Sequence, residues 1–74
     1  MIAIGKLYTM AGTGVDPNNF MTLLLPEKNA WIFYSTLKTY FVVLAKEGEA
    51  YKLLMPDGNI VKSFAAESRY IPAK

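Results

Sequence analysis

The chain has 74 residues, of which 53% are hydrophobic and 14% aromatic, and it contains neither cysteine nor histidine. A chain of this length forms one domain, and the missing residue types exclude disulfides, thiolate zinc sites and imidazole metal sites. The net charge is only +2, and the basic residues are spread along the sequence. We therefore predict a single domain over residues 1–74 that depends on apolar packing and has a solvated surface.

Residues 1–10 and the apolar stretches were compared with the patterns of targeting segments and membrane spans. Residues 1–10 lack a basic region followed by an apolar one, so no secretory signal is predicted. The longest apolar stretch, residues 30–45, is interrupted by polar side chains and falls short of the ~20 apolar residues of a membrane span. We expect a cytoplasmic protein.

Turn residues recur at short intervals between segments rich in Val, Ile, Tyr, Phe and Thr, a pattern typical of an all-β fold. A loop is predicted in residues 12–19, GTGVDPNN, and a helical or 3-10 turn near residues 65–68. A competing interpretation makes residues 30–46 one helix. In chain order, the predicted strands are residues 3–11, 20–25, 30–35, 39–46, 50–55, 59–64 and a brief edge strand in 69–74.

Two of the predicted hairpins carry clear turn chemistry. Pro26 suits the second position of a turn and Asn29 tolerates a left-handed conformation, so PEKN fits a four-residue loop. Pro56 and Asp57 suit a type I turn, and Gly58 supplies the positive φ of the bulge that closes it. The stretch KLLMPDGNIVKSF is therefore predicted to be a tight hairpin.

Strand alternation sorts the side chains of residues 50–55 into two faces. Tyr51, Leu53 and Met55 share one face, and Lys52 and Leu54 lie on the other. Because both faces carry apolar residues, a shift of one residue in register would exchange them. Which face lies inside stays open at this stage.

No group of residues predicts catalysis. The six carboxylates lie in predicted turns or polar edges, and the serines have no imidazole to activate them. The glycines at 12–14 lack the Lys-Ser/Thr of a phosphate-binding loop. We predict a protein that is not an enzyme and that takes no metal or cofactor.

Aromatic residues lie on nearly every predicted strand. Many are needed to fill a small core, but alternation prevents all of them from pointing inward. Trp31 and Phe33 are expected to face opposite to Ile32 and Tyr34. Exposed aromatic patches usually bind a partner, so an aromatic binding face is predicted.

The order of the elements resembles that of an SH3-like barrel: a first strand, a long excursion bearing a hairpin, two tight hairpins, a short helical turn and a last strand. Leu7 and Tyr8 resemble the Ala-Leu-Tyr opening of SH3 domains. Ser68, Tyr70 and Ile71 resemble their Ser-x-Tyr-Val ending. The fold that this resemblance implies is a small SH3-like barrel of five to seven short antiparallel strands, with one helical or 3-10 turn near residues 65–68.

The resemblance also implies a groove for the polyproline II helix of Pro-rich segments. Tyr51 lies where the family has its groove Trp, so Tyr8, Tyr51 and Tyr70 would line that groove. The sequence departs from the family at Ala66, where SH3 domains have a Pro, and in the long excursion, which lacks their run of acidic residues.

The sequence predicts one of two classes of function, protein–protein interaction or nucleic-acid binding. The leading hypothesis is a binding or assembly module that acts through protein–protein contacts, including homo-oligomer formation. Its candidate contact residues are Tyr8, Trp31, Tyr34, Tyr51 and Tyr70. An enzyme accessory or inhibitor would have the same sequence features and stays open.

The alternative is nucleic-acid binding, since KOW and Tudor-like modules use the same barrel plan. Trp31 or Tyr34 would stack on bases. The chain is also similar in composition to small proteins of tailed phages, for which the host cytoplasm is the expected location. The candidate phosphate contacts are Lys6, Lys38, Lys46, Lys52, Lys62 and Arg69.

Overall fold

The computed structural model describes residues 1–11, 20–37 and 39–73. Seven strands form one antiparallel sheet in the order β3-β2-β6-β5-β4-β1-β7. A 3-10 turn, Glu67–Arg69, precedes the last strand. The predicted loop at 12–19 lies outside the described residues. The strands are β1 (Leu7–Met10), β2 (Phe20–Leu25), β3 (Ala30–Ser35), β4 (Phe41–Glu47), β5 (Ala50–Leu54), β6 (Ile60–Ser63) and β7 (Tyr70–Pro72).

This arrangement confirms the all-β prediction and the turn expected near residues 65–68. The alternative of one helix over 30–46 is wrong, because β3 and β4 are separate strands there. The aromatic and β-branched side chains of both segments favour a pleated strand. β4 lies in the interior of the sheet between β5 and β1, and it carries apolar residues on both faces.

The β2–β3 hairpin closes as the turn chemistry predicts. The two strands pair without interruption from Phe20 opposite Ser35 to Leu25 opposite Ala30. Asn29 has a φ of 49° and donates its backbone N–H to the carbonyl of Pro26 at 3.3 Å. Asn tolerates this left-handed conformation better than most residues, so it ends the turn with little strain.

The β5–β6 hairpin also confirms its prediction. The backbone N–H of Gly58 donates to the carbonyl of Met55 at 2.9 Å, and the N–H of Met55 donates to the carbonyl of Asn59 at 2.9 Å. Gly58 has a φ of 88°, a backbone conformation that residues other than glycine rarely adopt. The turn sets the register in which Leu53 lies opposite Val61.

The core lies on the face of the sheet that carries Tyr51, Leu53 and Met55, here called the inner face. Leu53 is fully buried, whereas Leu54 beside it is 37% exposed on the outer face. The structure therefore decides the question that the sequence left open. The largest fully buried side chains are Phe41, Met21, Leu23, Leu53, Met55, Val43 and Val61.

The two end strands of the sheet, β3 and β7, do not pair with each other, so the sheet is open over the described residues. β7 is a three-residue edge strand that pairs only with β1, as its Pro72 predicted. β3, the other edge, is twice as long.

Candidate interaction surface

The outer face of the β2–β3 hairpin and the residue that follows β6 carry exposed aromatic side chains, which we call the aromatic face: Phe20, Trp31, Phe33 and Phe64. Their exposed fractions are 44%, 59%, 62% and 56%. The rings of Trp31 and Phe64 meet edge to face, with centroids 6.2 Å apart. Trp31 and Phe64 thus form a joined aromatic pair, and Phe20 and Phe33 lie on the same outer face of the adjacent hairpin.

Strand alternation explains how the aromatic face arises. Ile32 and Tyr34 of β3 pack against the core, opposite Leu23 and Met21 of β2. The residues between them must point the other way, away from the core. The prediction that Trp31 and Phe33 face opposite to their neighbours is confirmed.

Tyr34 points to the inner side, where its hydroxyl ties β3 to the β5–β6 turn. It donates to Asp57 Oδ2 at 2.8 Å and accepts from Asn59 Nδ2 at 3.2 Å. The hydrogen bond from Tyr34 lowers the pKa of Asp57, and burial raises the pKa of Tyr34. With its hydroxyl engaged in this way, Tyr34 holds the hairpin against the rest of the sheet.

A second exposed apolar feature crosses four strands of the outer face. Leu7, Val42, Leu54 and Ile60 lie opposite one another from β1 to β6, and we call them the aliphatic row. Leu7 and Ile60 are 46% and 45% exposed. An open groove of about 480 Å³ runs beside it, lined by Leu7, Tyr40, Phe41, Val42, Leu54, Met55 and Pro56.

Tyr8, Tyr51 and Tyr70 come together, as the resemblance implied, but they do so in the core. Their exposed fractions are 6%, 4% and 7%. The ring of Tyr70 lies 6.2 Å from that of Tyr8, 5.3 Å from that of Tyr51 and 5.8 Å from that of Phe41. The Tyr8 hydroxyl accepts a hydrogen bond from the backbone N–H of Ala3 at 2.9 Å. These rings present little surface to a ligand.

The hydroxyl groups of Tyr8 and Tyr51 form hydrogen bonds within the protein. The Tyr51 hydroxyl donates to Glu67 Oε1, which raises the pKa of Tyr51 to about 12 and lowers that of Glu67. Lys46 Nζ lies 5.6 Å from the centre of the Tyr51 ring. The Tyr70 hydroxyl is buried without a hydrogen bond of good geometry in the described part of the chain, and burial raises its pKa.

Among the predicted phosphate contacts that the structure describes, Lys52 and Lys62 lie side by side. Lys52 and Lys62 are directly opposite on β5 and β6, and Lys62 is followed across β2 and β3 by Leu24 and Trp31. Lys62 Nζ also lies 3.9 Å from Glu47 Oε1.

The remaining predicted cations are dispersed. Lys6 precedes β1, with β4 between it and Lys52. Arg69 Nη2 donates to the carbonyl of Ala11 at 3.2 Å, and Lys46 is packed over Tyr51. Lys38 lies outside the described residues.

Sequence reasoning missed Phe20, Phe64 and the aliphatic row as surface features. The outward position of Phe20 could have been predicted, because Phe20 precedes Met21 on the strand and must point outward if Met21 points into the core. The aliphatic row has no such local signal. It exists because the registers of four strands happen to align Leu7, Val42, Leu54 and Ile60.

Among residues 1–11, 20–37 and 39–73, no group of three or more acidic side chains is placed to hold a metal ion. In the same residues, no helix has the length and apolar character that a membrane crossing requires. No protein-family model, curated protein or solved structure matches the chain.

Proposed function

We propose that this protein is a non-catalytic binding and assembly module that contacts another protein through the aromatic face. The observation that carries the proposal is the grouping of Phe20, Trp31, Phe33 and Phe64 on one outer surface, each between 44% and 62% exposed. Side chains of this kind supply most of the energy of protein interfaces, where Trp and Tyr are prominent among the residues that matter most.

The size of the aromatic face supports this function. Aromatic side chains carry roughly 150–250 Å² each, so four that are about half exposed present on the order of 400 Å². Such an area is comparable to the largest apolar patch of a typical monomer, which is often functional. The aliphatic row adds to the apolar outer surface and is the second part of the proposed contact region.

We further propose that the architecture is an SH3-like barrel. The element order supports this assignment: β1, the excursion that carries β2 and β3, the tight β4–β5–β6 hairpins, the 3-10 turn and then β7. The placement of β7 beside β1 also supports it. In such a barrel the β2–β3 hairpin is part of the long segment that joins β1 to β4. This hairpin carries Phe20, Trp31 and Phe33 of the aromatic face.

The proposal is tested by binding of a hydrophobic fluorescent dye to the folded protein. Trp31→Ser and Phe33→Ser should each reduce dye binding severalfold without changing the far-UV circular dichroism spectrum. Leu37→Ser is the matched control, because Leu37 is 69% exposed but does not belong to the aromatic face. Dye binding that is absent, or that survives both substitutions, would contradict the proposal.

Nucleic-acid binding is the second candidate, and the specific observation in its favour is the row of Lys52, Lys62, Leu24 and Trp31. Two lysines beside an exposed indole combine a phosphate contact with a stacking surface. Anisotropy of labelled single-stranded oligonucleotides at two salt concentrations tests it. Log affinity should fall with log salt with a slope near −0.7 per phosphate contacted. No binding at low salt would eliminate this candidate.

A further inference from the structure

The two edges of the sheet differ in how well they are protected against pairing with another strand. β7 has three residues, and its Pro72 lacks a backbone N–H. β3 has six residues, Ala30–Ser35, with no proline and no charged side chain. In the described part of the chain, no backbone group of β3 bonds to a strand other than β2. Proteins usually shorten, charge or cover such an edge, so an edge strand of this length without charge or proline indicates a pairing site.

Symmetry restricts how β3 can pair with itself. A two-fold axis perpendicular to the sheet makes the two strands antiparallel and keeps the inner faces of both copies on the same side. Residues directly opposite each other must then belong to the same face. Every register centred on a residue satisfies this condition, and the registers centred on Ile32 or on Phe33 pair the greatest length of the six-residue strand. In the Ile32 register, Trp31 lies opposite Phe33 of the second copy, and the same pair recurs across the axis.

We propose that β3 pairs antiparallel with β3 of a second copy of this chain, giving a two-fold dimer with one continuous sheet. The inference rests on the proposed function, because it names the partner of the aromatic face. Residues 30–35 contain no charged side chain, so two copies of β3 can pair without repulsion between like charges.

The area available sets the expected strength. Of the aromatic face, Trp31 and Phe33 lie on β3, and these two half-exposed side chains offer on the order of 200 Å² per copy. The backbone edge of a six-residue strand adds to this. Specific interfaces bury about 800 Å² per partner, and weak ones less than about 600 Å². The dimer should therefore be reversible and should depend on protein concentration.

Sedimentation across a concentration series is the first test. The average mass should rise from 8.3 kDa toward twice that value as the concentration increases. Phe33→Lys, which places a charge on the exposed side of β3, should raise the dissociation constant at least about tenfold. Ile71→Lys, on the opposite edge at 45% exposure, is the matched control and should leave it unchanged.

The absence of cysteine allows a second test by disulfide trapping. Cα atoms of opposite residues in antiparallel strands are about 4.5–5.5 Å apart, within the range for a disulfide. Ile32→Cys or Phe33→Cys should therefore form a covalent dimer on mild oxidation, and the position that reacts identifies the register. Thr22→Cys, one strand inward on the same hairpin, is the control. Its two copies would be at least about 14 Å apart across the axis.

The outcomes separate this inference from the proposed function. Concentration-dependent mass that Phe33→Lys abolishes, together with trapping at residue 32 or 33, supports the β3 dimer. A protein that stays monomeric and gives no trapping overturns it, while dye binding on the aromatic face would still support the proposed function with a different protein as partner. A dimer that persists in Phe33→Lys and is not trapped also overturns it, because another surface then forms the contact.

Discussion

The assignment of inner and outer faces makes a sharp prediction at two adjacent leucines. Leu53 is fully buried between Val43 and Val61 on the neighbouring strands, and Leu54 is 37% exposed in the aliphatic row. Leu53→Ala removes the same atoms as Leu54→Ala, but it also leaves a cavity. We expect Leu53→Ala to lower the free energy of unfolding by about 3 kcal/mol, and Leu54→Ala by about 1 kcal/mol or less.

The magnitude is large for a protein of this size. A domain of this length has a total stability of roughly 4–11 kcal/mol, so Leu53→Ala removes a substantial fraction of it. In a domain of 60–100 residues, each kcal/mol shifts the melting temperature by about 4–8 °C. Urea unfolding followed by circular dichroism measures both variants. Equal effects, or a larger effect at Leu54, would refute the register of β5.

Three further predictions concern single contacts. The phenol of Tyr51 should titrate near pH 12, as measured by absorbance at 295 nm, and Glu67→Gln should move its pKa back toward 10. Because the folded pKa of Tyr51 is raised, the stability that its protonated phenol contributes is fully present below about pH 10 and is lost as the pH rises through about 12. The lowered pKa of Glu67 means that the contribution of its carboxylate is lost at low pH. An unshifted phenol would contradict the contact. Tyr34→Phe should accelerate amide exchange in β3 and raise the pKa of Asp57 toward its ordinary 3.8, a shift that NMR titration would detect. The lowered pKa of Asp57 means that its contribution to stability is present above that value and is lost as the pH falls through the folded pKa. Gly58→Ala should cost about 1–2 kcal/mol in urea unfolding through backbone strain alone, since an added Cβ there meets no atom within 4 Å; a neutral effect would argue against the φ of 88°.

The strands could be located from the sequence because their limits depend on nearby residues. The predicted FMTLLL and AWIFYS segments coincide with β2 and β3, and the 3-10 turn begins within two residues of its predicted start. Proline, asparagine and glycine at the turns act on their own backbone, so their effect is visible without knowledge of the fold. The first strand begins later than predicted, at Leu7 rather than at residue 3.

The candidate interaction surface could be predicted from the sequence only in part. Strand alternation correctly placed Trp31 and Tyr34 on opposite faces of the sheet, because the face on which a side chain lies depends on its position along the strand. It could not reveal that Tyr8, Tyr51 and Tyr70 would pack against one another in the core, since their strands are far apart in the chain. The family resemblance brought these residues together, but their burial is a property of the packed sheet.

The sequence by itself determined the class of fold, the hairpin turns and the division of each strand into two faces, since these depend on residues within a few positions of one another. The tertiary structure alone decided which face of β5 is buried, because both faces are apolar and only the register with β4 and β6 distinguishes them. It also decided which strand forms the longer edge of the sheet over the described residues. That position depends on the pairing of β2 with β6, which lie more than thirty residues apart in the chain.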